Sequence, residues 1–257
     1  MTVASVLSGA ARWHVEQCEA RAFIRSLPDA CVDALICDPP YSSGGLFRGD
    51  RAAPTTVKYV RGDALDKRIE FTGDNRDQRS FLAWCSLWLS EALRVCKPGA
   101  PIVVFTDWRQ LPTVTDAIQA GGWVWRGIVP WDKTEATRPA KGRFRAQAEY
   151  AVWGSNGPMP TERGVGVLPG VVRCPNTKAE RFHQTTKPVE LMRFFSRICV
   201  PGGVILDPFT GSGSTGLGAV AEGRRFIGCE LHPEYVEIAR KRLTEATEQL
   251  SFLDVGT

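Results

Sequence analysis

Short apolar runs alternate with longer amphipathic segments along the chain. The apolar runs are rich in strand-forming residues and too short for helices, so they predict strands over 11–15, 32–37, 101–105, 203–207 and 225–229. Apolar residues at helical spacing predict helices over 19–27, 78–95, 111–120, 188–199 and 215–222. Strands and helices that take turns in this way predict an α/β fold built around a mostly parallel sheet.

Three stretches interrupt this alternation. Residues 123–130 and 149–153 predict the two strands of a hairpin, which residues 131–148 connect. Residues 42–77 and 154–182 are rich in glycine and mixed charges and show little periodicity, so they predict loops. Long loops in compact domains are usually functional or mobile, and we expect 42–77 to be a mobile loop.

Composition narrows the class of protein. With 257 residues, 43% hydrophobic and 23% charged, the chain can bury the core of a full α/β domain with insertions. Its eight cysteines show no metal-ligand spacing, which predicts reduced thiols and no metal site. No basic leader precedes an apolar stretch, and no run approaches the roughly 20 apolar residues of a membrane span. We therefore expect a soluble, cytoplasmic protein without a membrane partner.

The stretch Asp38, Pro39, Pro40 and Tyr41 directly follows the strand predicted over 32–37. The prolines fix the backbone and remove two N–H donors, so neighbouring carbonyls are free to accept bonds from a ligand. A carboxylate, a bare carbonyl and a ring at the carboxyl end of a strand can hold a planar group that bears an amino function. A proline-stiffened turn with a capping Asp is the purely structural alternative.

A second informative stretch spans residues 203–216. A strand leads into a glycine turn and then a helix, and the next strand ends in Glu230, on the order of 20 residues past the glycines. Glycines let a ligand approach the backbone at the positive end of the helix, and the acid is placed to hold ribose hydroxyls. This pattern predicts a cofactor that contains adenosine.

The type of cofactor depends on Asp207. Gly211, Gly213 and Gly216 satisfy G-x-G-x-x-G, so NAD is an alternative. Asp207 stands directly before this turn, where its charge opposes a pyrophosphate. The same charge can pair with a cationic cofactor, such as the aminopropyl end of S-adenosyl-L-methionine.

The loop over 131–148 carries basic side chains with Trp131 and Phe144 between them. Such a mixture suits contact with nucleic acid, because cations displace phosphate counterions and rings stack on bases. A solvated charged loop is the alternative. The candidate DNA-binding residues are Lys133, Arg138, Lys141, Arg143 and Arg145.

Four motifs occur in the order found in one enzyme family. They are DPPY at 38–41, HQTTKP at 183–188, DPFTGSG at 207–213, and Glu230. In this order the chain resembles, over residues 13–243, the β-class amino-group DNA methyltransferases, including those of restriction-modification systems. The resemblance implies Asp38, Pro39, Pro40 and Tyr41 as catalytic residues. It implies a pocket for S-adenosyl-L-methionine lined by Lys187, Pro188, Asp207, Phe209, Thr210, Gly211, Ser212, Gly213 and Glu230.

The same resemblance implies the fold and its division. We expect a Rossmann-like, seven-stranded methyltransferase sheet in permuted order, with loop and target-recognition insertions. Residues 1–130 would form the catalytic half and 183–257 the cofactor-binding half of the domain. Residues 131–182, including a hairpin strand, would form the target-recognition insertion.

The implied activity is site-specific methylation of double-stranded DNA at the exocyclic amino group of a flipped-out base. In the family an initial Asp in the catalytic motif goes mostly with adenine-N6 and an initial Ser with cytosine-N4, so Asp38 favours adenine. Cytosine-N4 methylation is the main alternative, and an RNA amino-methyltransferase or an NAD-dependent oxidoreductase are more distant ones. Members of the family often pair, so a homodimer is expected.

Overall fold

The structure is a computed structural model that describes residues 1–42, 76–135, 137, 141–176 and 187–254, with backbone alone over 251–254. Most of the loop predicted over 42–77 lies outside these residues. Arg138 and residues 183–186 of the cofactor-side motif also lie outside them.

The described chain contains seven helices and eight strands. The helices are α1 Val3–Leu7, α2 Ala20–Ser26, α3 Gln78–Val95, α4 Leu111–Ala120, α5 Val189–Ser196, α6 Ser214–Ala221 and α7 Pro233–Asp254. The strands are β1 Trp13–Gln17, β2 Ala34–Cys37, β3 Pro101–Thr106, β4 Val124–Asp132, β5 Ala148–Ser155, β6 Val172–Arg173, β7 Val204–Asp207 and β8 Arg225–Glu230.

All of these strands form one sheet, in the order β1-β8-β7-β2-β3-β5-β4-β6. The first five are parallel to one another, whereas β5 runs antiparallel to both β3 and β4. The α/β fold and the permuted order are confirmed, because β7 from the C-terminal half pairs with β2 from the N-terminal half. The sheet has one strand more than expected in the described residues, since the two-residue strand β6 adds to the edge of β4.

Both faces of the sheet are covered, as a parallel sheet requires. Successive side chains of a strand point to opposite faces, so Leu35 and Cys37 join the core under α2, α3 and α4. Ala34 and Ile36 join the second core, which α5, α6 and α7 cover. Because β2 is buried on both sides, its sequence is continuously apolar, which is why the run before Asp38 was recognisable as a strand.

Helix α3 begins and ends where its sequence pattern predicts. Phe81 and Trp88 are fully buried on its inner face, whereas Trp84 is partly exposed. Asp77 occupies the cap position, but its side chain makes no capping hydrogen bond. Gly99, with φ of +77°, stands in the turn that follows the helix.

The eight cysteines form no disulfide in the structure. Cys37 and Cys229 are buried within strands as small apolar side chains. Within the described ranges, no group of three or more potential metal ligands comes together. Among the helices that the structure describes, none combines the length and the apolar content needed to cross a membrane.

Candidate active site

Three acidic side chains meet at one edge of the sheet. Asp38 directly follows β2, Asp207 ends β7 and Glu230 ends β8. These three strands are parallel neighbours, so their carboxyl ends lie side by side. The side chains line one cavity of about 800 Å³, together with Tyr41 and the turn at Gly211. The tetrapeptide at 38–41 and the glycine turn therefore line the same cavity.

Both oxygens of the Asp38 carboxylate are occupied by hydrogen bonds. The Lys187 ammonium donates to Oδ2 at 2.6 Å, and the Tyr41 hydroxyl donates to Oδ1 at 2.6 Å. Burial raises the pKa of Asp38 above its usual value, and the Lys187 charge offsets only part of this effect. Each carboxylate oxygen has a second lone pair, so Asp38 can still accept from a further donor.

Glu149 completes a charged cluster that we define as Asp38, Tyr41, Lys133, Glu149 and Lys187. It stands near the start of β5, which the antiparallel pairing brings to the end of β3. Its carboxylate accepts from Lys133 at 3.1 Å and from the Tyr41 hydroxyl at 3.4 Å, and lies 3.5 Å from the Lys187 ammonium. Burial acts to raise the pKa of Glu149, but the two lysine charges outweigh it and the pKa lies below its ordinary value.

Lys187 lies between the two carboxylates of this cluster. Its side chain is only 8% exposed, and its ammonium also lies over the rings of Tyr41 and Phe105, at 5.1 and 5.6 Å. Burial acts to lower the pKa of Lys187, but Asp38 and Glu149 outweigh it and the pKa is raised. Lys187 is therefore a fixed cation. With Lys133 it balances the two carboxylates of the cluster.

Asp207 is buried under the glycine turn. Its carboxylate accepts from the backbone N–H of Phe209 at 2.9 Å, and the Thr210 hydroxyl donates to its carbonyl at 3.0 Å. Burial raises the pKa of Asp207 to about 7, against the lowering effect of hydrogen bonds from Thr215 and Phe209, while the charges of Asp38 and Glu230 raise it further. An incoming cation would reverse part of this shift.

The glycine turn is tied to the end of β8. The backbone N–H of Gly211 donates to one oxygen of Glu230 at 2.9 Å, and that of His232 donates to the other at 3.0 Å. Gly211 and Gly213 have φ of +51° and +88°, which favour glycine. A Cβ at Gly211 would meet nothing within 4 Å, so the backbone here borders open space on the cavity side.

Two further predicted cofactor residues, Phe209 and Ser212, anchor this turn. The ring of Phe209 packs against Trp84 and Trp88 at centroid distances of 5.6 and 5.2 Å, which fixes the turn to α3. The carbonyl and hydroxyl of Ser212 accept from Arg242 at 2.6 and 3.2 Å. Pro188 stands at the cap of α5, directly after Lys187.

The basic residues predicted to bind DNA lie in different environments. Lys141 and Arg143 are exposed on the loop, next to the fully exposed ring of Phe144. Arg145 holds the loop itself, because it donates to the carbonyls of Glu135 and Thr137.

Lys133 differs from these residues in its position. Its side chain is 15% exposed and ion-paired with Glu149 in the cavity, which it also lines. Lys133 therefore belongs to the charged cluster, and its contact with DNA stays a prediction.

The sequence did not predict Glu149 as a member of this cluster, and it predicted Lys133 only as a DNA contact. The available signal was a lone carboxylate that opens the otherwise apolar stretch AEYAVW at 148–153. A carboxylate at that position would be costly to bury without a partner. The partners are Lys133 after β4, Tyr41 after β2 and Lys187 before α5, and the linear sequence does not show that these segments lie near β5.

The sequence belongs to a known class of proteins. The family model described as DNA methylase, with the short name N6_N4_Mtase, matches residues 32–163 and 168–241. These ranges hold all four motifs in full. The chain belongs to this DNA methylase family, and the resemblance inferred from the motifs is confirmed.

Individual relatives agree with this membership. The chain is 28% identical over 247 residues to the Type II methyltransferase M.HinfI of Haemophilus influenzae, covering 86% of this chain and 66% of that protein. The chain thus spans just under two thirds of that relative. It is 30% identical over 219 residues to the putative methylase YubD of Escherichia coli strain K12, covering 85% of this chain and 84% of that protein.

Solved structures show the same fold. A complex of M1.HpyAVI with SAM is 23% identical, with a TM-score of 0.63 over 90% of this chain and 98% of that chain. The cytosine-N4-specific PvuII DNA methyltransferase is 18% identical, with a TM-score of 0.66 over 93% of this chain and 92% of that chain. At these identities the likeness concerns the fold alone, and it is the fold expected from the motif order.

Proposed function

We propose that the protein methylates the exocyclic N6 amino group of adenine in double-stranded DNA, with S-adenosyl-L-methionine as methyl donor. The observation that carries the proposal is the single cavity in which the Asp38 tetrapeptide faces the turn between Asp207 and Glu230. Residues suited to hold an amino group and residues suited to hold a cofactor that contains adenosine thereby line the same cavity. Membership in the DNA methylase family supports DNA as the substrate.

The cofactor-side residues fit a cationic adenosine cofactor. The Asp207 carboxylate can pair with the ammonium of its aminocarboxypropyl end, and the Glu230 carboxylate is placed for ribose hydroxyls. The glycine turn leaves open space at Gly211, where a side chain would stand in the way. When bound, the cofactor supplies an electrophilic methyl group on a sulfonium.

The catalytic-side residues orient the amino group for attack. An exocyclic amino nitrogen is a poor nucleophile, because its lone pair is delocalised into the base. Asp38 accepts one of its N–H groups and the Pro39 carbonyl accepts the other, which holds the nitrogen pyramidal with its lone pair toward the methyl group. The nitrogen forms the new bond and gives up one proton, for which the Asp38 carboxylate is the adjacent acceptor.

Tyr41 holds the flipped base within this arrangement. Its ring lines the cavity, and stacking on it would replace part of the few kcal/mol lost when a base leaves the duplex. The hydroxyl is fixed by Asp38 and Glu149, so the plane of the ring is set before the base arrives.

Analysis of the nucleosides in methylated DNA tests which base the protein modifies. Plasmid DNA from a host without its own methylases is incubated with the purified protein and S-adenosyl-L-methionine, hydrolysed, and its nucleosides are separated by mass. N6-methyladenine is the expected product, because the catalytic motif begins with Asp38. N4-methylcytosine would overturn the adenine assignment, and an unmodified plasmid would overturn the proposed function. Sequencing of the modified plasmid then gives the target site.

We place target recognition in the loops within residues 131–182. Lys141, Arg143 and Phe144 are exposed there and suit contact with phosphates and bases. Strand β5 lies inside this range but pairs with β3 in the main sheet, so only the loops on either side of it are candidates for reading bases.

Exchanging residues 131–182 for those of a relative with another specificity should transfer the other target site. The reason is that these loops border the cavity and would come from the relative, while Asp38, Tyr41 and the glycine turn stay with the host chain. Modified-base sequencing of host DNA gives the result, with the parent protein as the control. A chimaera that methylates but keeps the original site would reject the assignment.

Cofactor affinity should rise with pH between about 5 and 7. In the free protein Asp207 has a pKa of about 7, so it is largely neutral at pH 5 and must lose a proton to pair with a cation. Affinity should therefore increase by up to about tenfold per pH unit below 7 and level off above it. Calorimetric titration of S-adenosyl-L-methionine at several pH values measures this.

The control for this pH dependence is Asp207→Asn. The variant keeps the shape of the side chain but cannot ionise, so its affinity should be weaker at pH 7 and nearly constant from pH 5 to 7. If the variant keeps the pH dependence of the parent, another group is responsible and Asp207 does not face the cationic part of the cofactor.

A further inference from the structure

The charged cluster raises a problem for catalysis. Asp38 has to accept an N–H from the base, but in the structure one of its oxygens accepts from Lys187 and the other from Tyr41. A carboxylate that neutralises an ammonium at 2.6 Å is a weaker acceptor for a neutral amino group. Efficient transfer therefore needs a second place for the Lys187 charge.

The second carboxylate of the cluster stands where this is needed. Glu149 lies 3.5 Å from the Lys187 ammonium and 3.4 Å from the Tyr41 hydroxyl, the two groups that occupy Asp38. Lys187 is 8% exposed, so its ammonium cannot turn to water when it leaves Asp38 and has to keep an anion beside it. A small movement of a lysine side chain satisfies this, because Glu149 is already in contact.

The position of Glu149 is held firmly. It lies near the start of β5, opposite Trp131 in the pairing with β4. Lys133, which directly follows the end of β4, donates to the Glu149 carboxylate at 3.1 Å. Strand pairing thus fixes the carboxylate, and the charges of Lys187 and Lys133 together outweigh burial and hold its pKa below the ordinary value.

Resting on the proposed function, we propose that Glu149 is a positioning residue for methyl transfer. Its carboxylate takes over the ion pair with the Lys187 ammonium and the hydrogen bond from the Tyr41 hydroxyl, so that Asp38 can accept the amino group of the base. Glu149 then acts through Lys187 and Tyr41 and does not contact the reacting atoms. The methyl transfer itself is unchanged: the amino nitrogen bonds to the methyl carbon, the sulfonium bond breaks, and the nitrogen loses one proton.

The test uses two variants of the full-length protein. Glu149→Gln keeps the shape but removes the charge that attracts Lys187. The double variant Lys133→Met with Glu149→Gln removes one whole ion pair and leaves no buried ammonium without its partner. Glu237→Gln on α7, whose carboxylate is 75% exposed and pairs with Arg240, is the matched control for loss of a glutamate charge.

Single-turnover methylation of the plasmid substrate is measured, together with the affinity for S-adenosyl-L-methionine and thermal melting. Glu149→Gln should lower the single-turnover rate by about 100-fold, since misplacement of reacting groups by about 1 Å costs about this much. Its cofactor affinity should stay within about threefold of the parent, because the cofactor-side contacts of Asp207 and Glu230 are untouched. The double variant should be about as slow as Glu149→Gln, while Glu237→Gln should match the parent.

Two results would overturn the positioning role. Recovery of the parent rate in the double variant would mean that Glu149 only neutralises Lys133. A Glu149→Gln rate within about twofold of the parent would mean that Asp38 can accept the amino group of the base without the Glu149 charge. If Glu149→Gln alone does not melt cooperatively, the double variant decides between these readings. Failure of the parent protein to methylate DNA is a separate outcome, which rejects the proposed function.

Discussion

Replacing Asp38 by alanine should abolish methyl transfer while leaving the cofactor bound. We expect the single-turnover rate to fall at least about 10³-fold, since removal of one preorganised hydrogen-bonding group alone costs about 10²- to 10³-fold and Asp38 also accepts the proton. The affinity for S-adenosyl-L-methionine should stay within about tenfold, because Asp207, Glu230 and the glycine turn keep their mutual contacts. Radiolabelled methyl transfer and calorimetry measure the two quantities.

The fold should tolerate this change. Lys187 loses its partner at 2.6 Å but retains the Glu149 carboxylate at 3.5 Å, so the buried ammonium is not left alone. Asp38→Asn is the matched control, because it preserves one acceptor oxygen without the charge, and its rate should lie between those of the parent and Asp38→Ala. A collapse of cofactor affinity in Asp38→Ala, with melting unchanged, would make Asp38 a cofactor residue and the proposed mechanism wrong.

Replacing Gly218 by alanine should destabilise the fold, although alanine is the better helix former. Gly218 lies within α6, where helix propensity alone would favour alanine by about 1 kcal/mol. A Cβ at this position would lie 2.6 Å from the carbonyl carbon of Met192 and 2.7 Å from the backbone nitrogen of Arg193. These are backbone atoms of α5, so they cannot rotate away and one helix must shift. Overpacking costs about 1–3 kcal/mol, and a clash with backbone atoms lies at the upper end of that range, so after the gain of about 1 kcal/mol in helix propensity we expect a net loss of about 2 kcal/mol.

Urea unfolding measures this loss, and Gly166→Ala is its control. A Cβ at Gly166 would meet nothing within 4 Å, so its free energy of unfolding should stay within about 0.5 kcal/mol of the parent. The Gly218 variant should also lose methylation rate, because α5 begins directly after Lys187 and Pro188 and would carry Lys187 with it. A Gly218 variant as stable as the parent would show that α5 and α6 pack less tightly than the structure indicates.

The elements were predictable where one physical signal dominated. Helix α3 has a long apolar face and a proline–glycine stop, and its predicted bounds are those of the structure. The central strands are buried on both faces and therefore read as continuous apolar runs. The short helix α1, the two-residue strand β6 and the charged helix α7 were not predicted. Each has either few residues or a weak apolar stripe, so tertiary contacts determine them.

Some residues of the candidate site were likewise predictable from the sequence, and others were not. Asp38, Asp207 and Glu230 could be predicted, because each ends an apolar run and parallel strands place their ends together. Glu149 could not, since it lies on the antiparallel strand β5 and its importance comes from Lys187 and Tyr41, which other segments supply. Lys133 was predicted as a DNA contact from its place in a basic loop with aromatic residues, and the structure adds its ion pair with Glu149 in the cavity.

The sequence by itself determined the family, the α/β alternation and the residues of the two facing motifs, because these depend on local patterns of apolar, glycine and acidic residues. Only the tertiary structure decided how the charges of the cavity are paired. Ion pairing between buried groups depends on distances of a few ångströms between segments far apart in the chain, such as Asp38 and Lys187. No local pattern encodes those distances, since they follow from the register and order of the whole sheet.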